Sequence, residues 1–200
     1  MSLDRLRDGV RRFRTEVFPR SRETYESLAE KQHPFALFLT CGDSRIDPTA
    51  LTGTEPGQIF VERTPGNIVP VYSDEVAVGV SASIEYAIVA LEVEEVIICG
   101  HSACGAMKGL LDPDHLHEIP ATARWLEYAR PAVERLGASR DVARLTKLNV
   151  IEQISHLETH PAVRERLRAG RLGIHGWYYE IHTGTIEAYD ASRDAFDLWP

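Results

Sequence analysis

The chain has 200 residues, 44% of them apolar and 26% charged, an ordinary balance for a soluble globular protein with room for a sizeable core. Its formal net charge of −8 argues against nucleic acid or an acidic membrane surface as a partner, and no apolar run approaches the roughly 20 residues that span a bilayer. Three cysteines are too few for a disulfide framework. The first residues lack the apolar core of a secretory signal, and Asp4, Asp8 and Glu16 disfavour an organelle transit peptide, so a reducing cytoplasm is expected.

Leu3, Leu6, Val10, Phe13 and Val17 fall on one helical stripe with arginines between them, and Pro19 is expected to end that segment. Ser21 is placed to cap a second helix that carries Tyr25 and Leu28. Residues 1–31 therefore read as a helical arm, which either packs on its own core or crosses onto a partner subunit. The core of residues 32–200 follows, and arm and core together make one domain. Residues 35–40 are a short apolar run, expected as a first buried strand with Cys41 opening the loop. An Asp47-Pro48 turn leads to a second strand at 58–62, stopped by Thr64-Pro65-Gly66-Asn67. Asp74 is expected to open a helix with Val80, Ile84, Ala87, Ile88 and Leu91 on its apolar face. Residues 95–99 are the third strand, with a helix starting at Ser102 or Ala103. Strand, crossover and strand in this order imply parallel pairing.

Residues 112–120 hold Asp, Pro and His without periodicity and read as loop. A helical pattern over 124–136 is interrupted at Pro131. Asp141 can cap a longer helix to about His156, with Val142, Leu145, Leu148 and Ile151 as its apolar face. Pro161 suits the first position of a short helix ending at Gly170. Residues 172–182 and 185–189 form a hairpin about Thr183-Gly184. The expected class is α/β: a central, mostly parallel β-sheet flanked by helices, with an N-terminal helical arm and a C-terminal β-hairpin.

Open parallel sheets gather ligands at the carboxyl ends of their strands. Cys41 follows the first strand, and His101 and Cys104 follow the third. Two thiolates and one imidazole suit one zinc ion per chain, and three protein ligands leave a fourth tetrahedral position for water. Such a centre has a formal charge near zero, so its water ionises less readily than on a three-histidine zinc and the surroundings must help. Asp43 and Arg45 are the candidates: Arg45 can hold Asp43 ionised, and Asp43 can accept a hydrogen bond from a zinc-bound hydroxide and aim it. Cys99 reads as buried packing. The histidines at 33, 115, 117, 156, 160, 175 and 182 have no ligand-like spacing and read mostly as surface or capping residues.

The Cys41-Gly-Asp-Ser-Arg45 motif, the Gly100-His-Ser-Ala-Cys-Gly105 motif and the run HGWYYEIHTGTIEAYD ending at Asp190 together resemble the β-class carbonic anhydrases, over about Leu28 to Asp190. The resemblance implies a zinc enzyme interconverting carbon dioxide and bicarbonate, with Cys41, His101 and Cys104 as ligands and Asp43–Arg45 as an orienting dyad. Gly42 stands where the family often has Ser, and as a non-ligand it is expected to matter little. Gln32, Phe60 and Tyr86 match the substrate pocket of the plant-like, open-site branch, and Gly105 would offer its backbone N–H there. Phe38 replaces the Trp of the bicarbonate-inhibited branch, although Arg63 matches that branch's arginine. The resemblance further implies homodimers or dimer-based tetramers, with Gln32 and Tyr86 facing the zinc of the neighbouring chain. The rivals are a carbonyl sulfide or carbon disulfide hydrolase on the same zinc fold, and a non-catalytic zinc or thiol-redox protein.

Overall fold

The computed structural model describes residues 2–75 and 79–199, and its centre is a single six-stranded sheet. In chain order the strands are β1 (Ala36–Cys41), β2 (Ile59–Thr64), β3 (Glu95–His101), β4 (Gly173–Glu180), β5 (Thr185–Asp190) and β6 (Ala195–Leu198). Their spatial order is β2-β1-β3-β4-β5-β6; the first four are parallel and the last two antiparallel. Every residue of β1 is buried, and all of β3 after Glu95, which is why both read as unbroken apolar runs. The α/β class and the mostly parallel sheet are as expected.

Both central strands run further than hydropathy suggests. Cys41 is the last residue of β1, in register with Thr64, rather than the first of the loop. β3 continues through Gly100 and His101, paired with Tyr178 and Tyr179 of β4. Hydrogen bonding to a neighbour, not the end of the apolar run, decides where a strand stops. β6 was not anticipated, because its four residues hold one inward anchor, Phe196, whose ring lies 5.2 Å from Tyr189.

The arm consists of α1 (Ser2–Arg12) and α2 (Arg22–Glu30), joined by a widened turn at Phe13–Val17 and one helical turn at Phe18–Arg20. Pro19 does not end the first segment; it sits at the start of that last turn, where its missing N–H costs nothing. The break falls at Ser21, whose hydroxyl makes no capping bond. Rings of Phe13, Phe18 and Tyr25 meet at 5.5–6.2 Å and hold the bend, while Leu3, Leu6, Val10 and Val17 stay exposed.

After β1, Asp47 caps a short α3 (Pro48–Thr52) by accepting from the amides of Thr49 and Ala50. Among the described residues the next helix, α4, spans Gly79–Glu85 and continues as a widened turn through Ala90. Asp74 lies in a bend, so the expected helix start there is not seen, and residues 76–78 lie outside the described residues. Val80, Ile84, Ala87 and Ile88 are buried against the sheet as expected. Helix α5 (Gly105–Leu111) begins later than predicted because Ala103 takes a left-handed turn (φ 54°). Residues 113–118 are not plain loop but 3₁₀ turns leading into α6 (Pro120–Leu126), and Pro131 opens α7 (Arg130–Leu136).

Helix α8 (Val142–Leu157), capped by Asp141, lies across the sheet, and α9 (Pro161–Arg168) follows it. A Cβ on Gly100 would meet Thr146 Cγ2 and Val150 Cγ2, each at 2.8 Å, so the helix rests directly on β3. Its rotation differs from the expected one. Thr146, Asn149, Gln153 and His156 are buried, while Val142, Leu148 and Ile151 are only half-buried. The inward polar side chains are used: Gln153 accepts from Val69 N at 2.9 Å, and His156 Nδ1 donates to Val69 O at 2.8 Å. His160 Nε2 donates to Pro70 O at 3.0 Å, so His156 and His160 are interior residues rather than surface ones. A lateral row from α8 thereby holds the chain that leaves β2.

Candidate metal centre

Register brings the site together. Adjacent strands β1 and β3 end side by side, which sets Cys41 next to His101, and the left-handed turn at Ala103 swings Cys104 back beside them. One donor atom from each of Cys41, His101 and Cys104 lies within 4.8 Å of the others, and all three residues are buried. His101 Nδ1 donates to Ser102 O at 2.9 Å, which fixes the tautomer and leaves Nε2 as a lone-pair donor. That Nε2 is buried and has no hydrogen-bond partner among the described residues. A buried acceptor aimed at two sulfurs fits a metal ion with nitrogen and sulfur ligands.

One of the two sulfurs is already poised for charge. A hydrogen bond from the Cys104 thiol is the largest influence on Cys41 and outweighs burial, bringing its pKa down to about 4, with the Gly66 amide acting in the same direction. Gly66 N donates to Cys41 Sγ at 3.4 Å. The same pairing raises Cys104, since its proton is the one the two sulfurs share and burial adds to the effect. A cation bound between them would replace that proton. Cys99 is wholly buried and desolvation pushes it up to about 12, which fits packing.

Asp43 and Arg45 form a two-toothed pair: Arg45 Nε to Asp43 Oδ1 at 2.9 Å and Nη2 to Oδ2 at 2.7 Å. Asp43 Oδ1 also accepts from the Arg45 amide at 3.0 Å. The Arg45 guanidinium holds the Asp43 carboxyl well below the usual carboxylate range. Arg45 also reaches Ala103 O at 3.2 Å, linking the loops that carry the three donors. Asp43 Oδ2 lies 3.9 Å from His101 Nε2.

Sequence reading missed the clamp beneath this loop. Arg63 of β2 donates to three carbonyls, Cys41 O at 3.1 Å, Asp43 O at 2.6 Å and Ile46 O at 3.0 Å. Its position beyond the predicted end of the strand was the available signal. Also missed was the apolar wall. A cavity of about 350 Å³ beside the donors is bounded by Cys41, Asp43 and Gly105 on one side and by Leu116, Ile119 and Leu126 on the other. Leu116 and Ile119 come from the segment read as loop, and Leu126 from the helical segment that follows it. Gly105 lines this cavity. Gln32, Phe60 and Tyr86 do not line it within the same chain: Gln32 is exposed ahead of β1, Phe60 packs against the main core, and Tyr86 is 48% exposed. Phe60 and Tyr86 do lie together, ring centroids 6.0 Å apart.

A family model described as carbonic anhydrase matches residues 36–186, three quarters of the chain. The chain belongs to the carbonic anhydrase family. Within it, the chain is β-class. It is 44% identical to a carbonic anhydrase of Pseudomonas aeruginosa, covering 94% of this chain and 88% of that one. The solved structure of the β-carbonic anhydrase CcaA superposes with a TM-score of 0.93 at 38% identity, covering 100% of this chain and 92% of that one. One of two tetrameric β-carbonic anhydrases of Sordaria macrospora superposes at 0.72 with 30% identity, covering 94% and 93%. Every donor described above falls inside the matched span of this β-carbonic anhydrase.

Proposed function

We infer that this β-class carbonic anhydrase hydrates carbon dioxide reversibly to bicarbonate and a proton, using one zinc ion per chain held by Cys41, His101 and Cys104. It is a lyase, a carbonate dehydratase. The observation that carries the reading is the buried two-sulfur, one-imidazole triangle with Asp43 beside it. When bound, zinc supplies the Lewis acidity that lets a water ionise near neutral pH.

The chain's own residues do the rest. Arg45 keeps Asp43 ionised and pointed inward, so Asp43 accepts the hydrogen bond that orients the attacking oxygen. Paired in this way Asp43 is held off the metal, which favours the open-site branch. Leu116, Ile119 and Leu126 make an apolar wall suited to a small, linear, apolar molecule, and Gly105 lines the same space. Gln32, Phe60 and Tyr86 belong to the substrate wall of the neighbouring subunit's site; that none of the three lines the cavity of its own chain, and the exposure of Tyr86, support this. The protein acts as a homodimer or dimer-based tetramer, a reading supported by the exposed stripe of α1. Among the described residues no helix is long and apolar enough to cross a membrane, and a cytoplasmic site of action accords with three unpaired thiols.

Metal analysis combined with stopped-flow carbon dioxide hydration tests this function. One zinc per chain with rapid hydration is the expected result. Zinc without hydration at mildly alkaline pH would overturn it, and faster release of hydrogen sulfide from carbonyl sulfide would reassign the substrate.

A further inference from the structure

The peptide that touches Cys41 is gripped from both sides. Its N–H is that of Gly66, directed at Cys41 Sγ, and its carbonyl is that of Pro65, which accepts from the indole Nε1 of Trp125 at 3.0 Å. The next carbonyl, Gly66 O, accepts from Asn149 Nδ2 at 2.9 Å. Asn149 cannot flip, because its Oδ1 is engaged by Gln153 Nε2 at 2.9 Å, and Gln153 in turn accepts from Val69 N. Asn149 and Gln153 are wholly buried. Gly66 sits at φ 75°, and a Cβ there would meet Ala106 at 3.0 Å and Met107 at 3.1 Å, so the backbone has no room to drift.

We propose that Trp125 and Asn149 are positioning residues for the metal centre, holding the Pro65–Gly66 peptide so that its N–H withdraws charge from the Cys41 thiolate. The proposal rests on the reading of Cys41, His101 and Cys104 as a metal site. Donation from Trp125 into the Pro65 carbonyl polarises the peptide and strengthens its N–H as a donor. A thiolate that accepts this bond gives less charge to its metal, which leaves the metal a stronger Lewis acid. Asn149 prevents the peptide from turning away.

The test uses the full-length protein loaded with cobalt(II) or with cadmium-113. In the wild type, the Gly66 amide proton is expected to show scalar coupling to cadmium through the N–H···S bond. Trp125→Phe keeps an aromatic ring but loses the donor. It is expected to bind one metal per chain with its sulfur-to-cobalt charge-transfer band at longer wavelength, a smaller Gly66 coupling and zinc affinity about 10-fold weaker. Asn149→Ser is expected to shift the band in the same direction. Tyr128→Leu removes the ring packed 5.6 Å from Trp125 while sparing the indole N–H, and leaves the band in place. An unchanged band and coupling in folded Trp125→Phe and Asn149→Ser would overturn the proposal alone, as would a wild-type Gly66 amide with no coupling to bound cadmium. A wild type that binds neither ion would overturn the metal reading and the proposal with it.

Discussion

Arg45 grips Asp43 through both carboxylate oxygens, at 2.9 and 2.7 Å, and so decides where the carboxylate stands relative to His101. Replacing Arg45 with Ala frees Asp43 to swing the 3.9 Å toward the donor triangle. The expected result is a fall in kcat/KM of about 10–100-fold, with a changed ligand-field spectrum in the cobalt protein as an oxygen ligand enters. Arg45→Lys restores little, because an ammonium cannot make the parallel pair.

The same pair sets a pH dependence. Asp43 is held below its ordinary carboxylate value chiefly by the Arg45 hydrogen bond, so the folded state favours its ionised form. Its stabilising contribution is complete above the unfolded pKa of about 3.9 and is lost as the pH falls through the lower folded value. The stability difference between wild type and Asp43→Asn, from denaturant unfolding, is therefore constant through neutral pH and shrinks only under acid conditions. A difference that already shrinks near pH 6, far above the carboxylate range, would refute this assignment.

Arg63 supports three carbonyls of the loop that carries Cys41 and Asp43. Truncation to Ala leaves them to seek water in a partly buried place. Hydrogen bonds to a charged donor contribute about 1.5–3 kcal/mol, so Arg63→Ala is expected to lose about 2–3 kcal/mol in urea unfolding. Proteolysis within the loop should rise in parallel.

What sequence reading could reach followed the physics of each element. β1 and β3 were legible because both of their faces are buried, which leaves unbroken apolar runs, and the cysteines and His101 were legible because ligand chemistry uses few residue types. Helix α8 was legible as a helix, with its Asp141 cap, but its inward face was not, because Asn149, Gln153 and His156 look like a solvent face until the backbone of residues 66–70 is there to receive them. Leu116 and Ile119 were hidden in a segment without periodicity, since a short 3₁₀ turn leaves no repeating pattern. The placement of Gln32 and Tyr86 toward a neighbouring chain came from the family resemblance alone, because no feature of one chain says which copy's site they would serve.

The exposed stripe on α1 leads to a test of assembly. Leu6 is 67% and Val10 60% exposed, unusual for apolar residues flanked by arginines on a stable helix. Changing both to Asp is expected to lower the mass measured by light scattering to that of a smaller species, with helical content preserved. Activity should fall with it if Gln32 and Tyr86 serve the neighbouring site.

Removing the metal should be felt as lost stability. At free zinc 100-fold above its dissociation constant, binding stabilises the fold by about 2.7 kcal/mol, so chelation lowers the calorimetric melting temperature and zinc alone restores it. Cys104→Ser should bind less than stoichiometric zinc and show no response to chelator.

Two glycines beside the ligands make opposite predictions. Gly42 follows Cys41 directly, yet a Cβ there would meet nothing within 4 Å, and its φ is unremarkable. Gly42→Ser should therefore leave stability, zinc content and hydration rate close to wild type. Gly100 precedes His101, and a Cβ there would press on Thr146 and Val150 at 2.8 Å. Neither neighbour can yield easily, because both belong to α8, whose buried side chains also hold the wall of the metal site through Gly66 and Val69. Overpacking of this kind costs about 1–3 kcal/mol. Gly100→Ala should thus lower stability by that amount and weaken zinc binding together, because pushing α8 outward pulls through Asn149 on Gly66, the residue whose N–H meets Cys41. Destabilisation without any loss of zinc affinity would mean that the helix and the metal site are not mechanically linked.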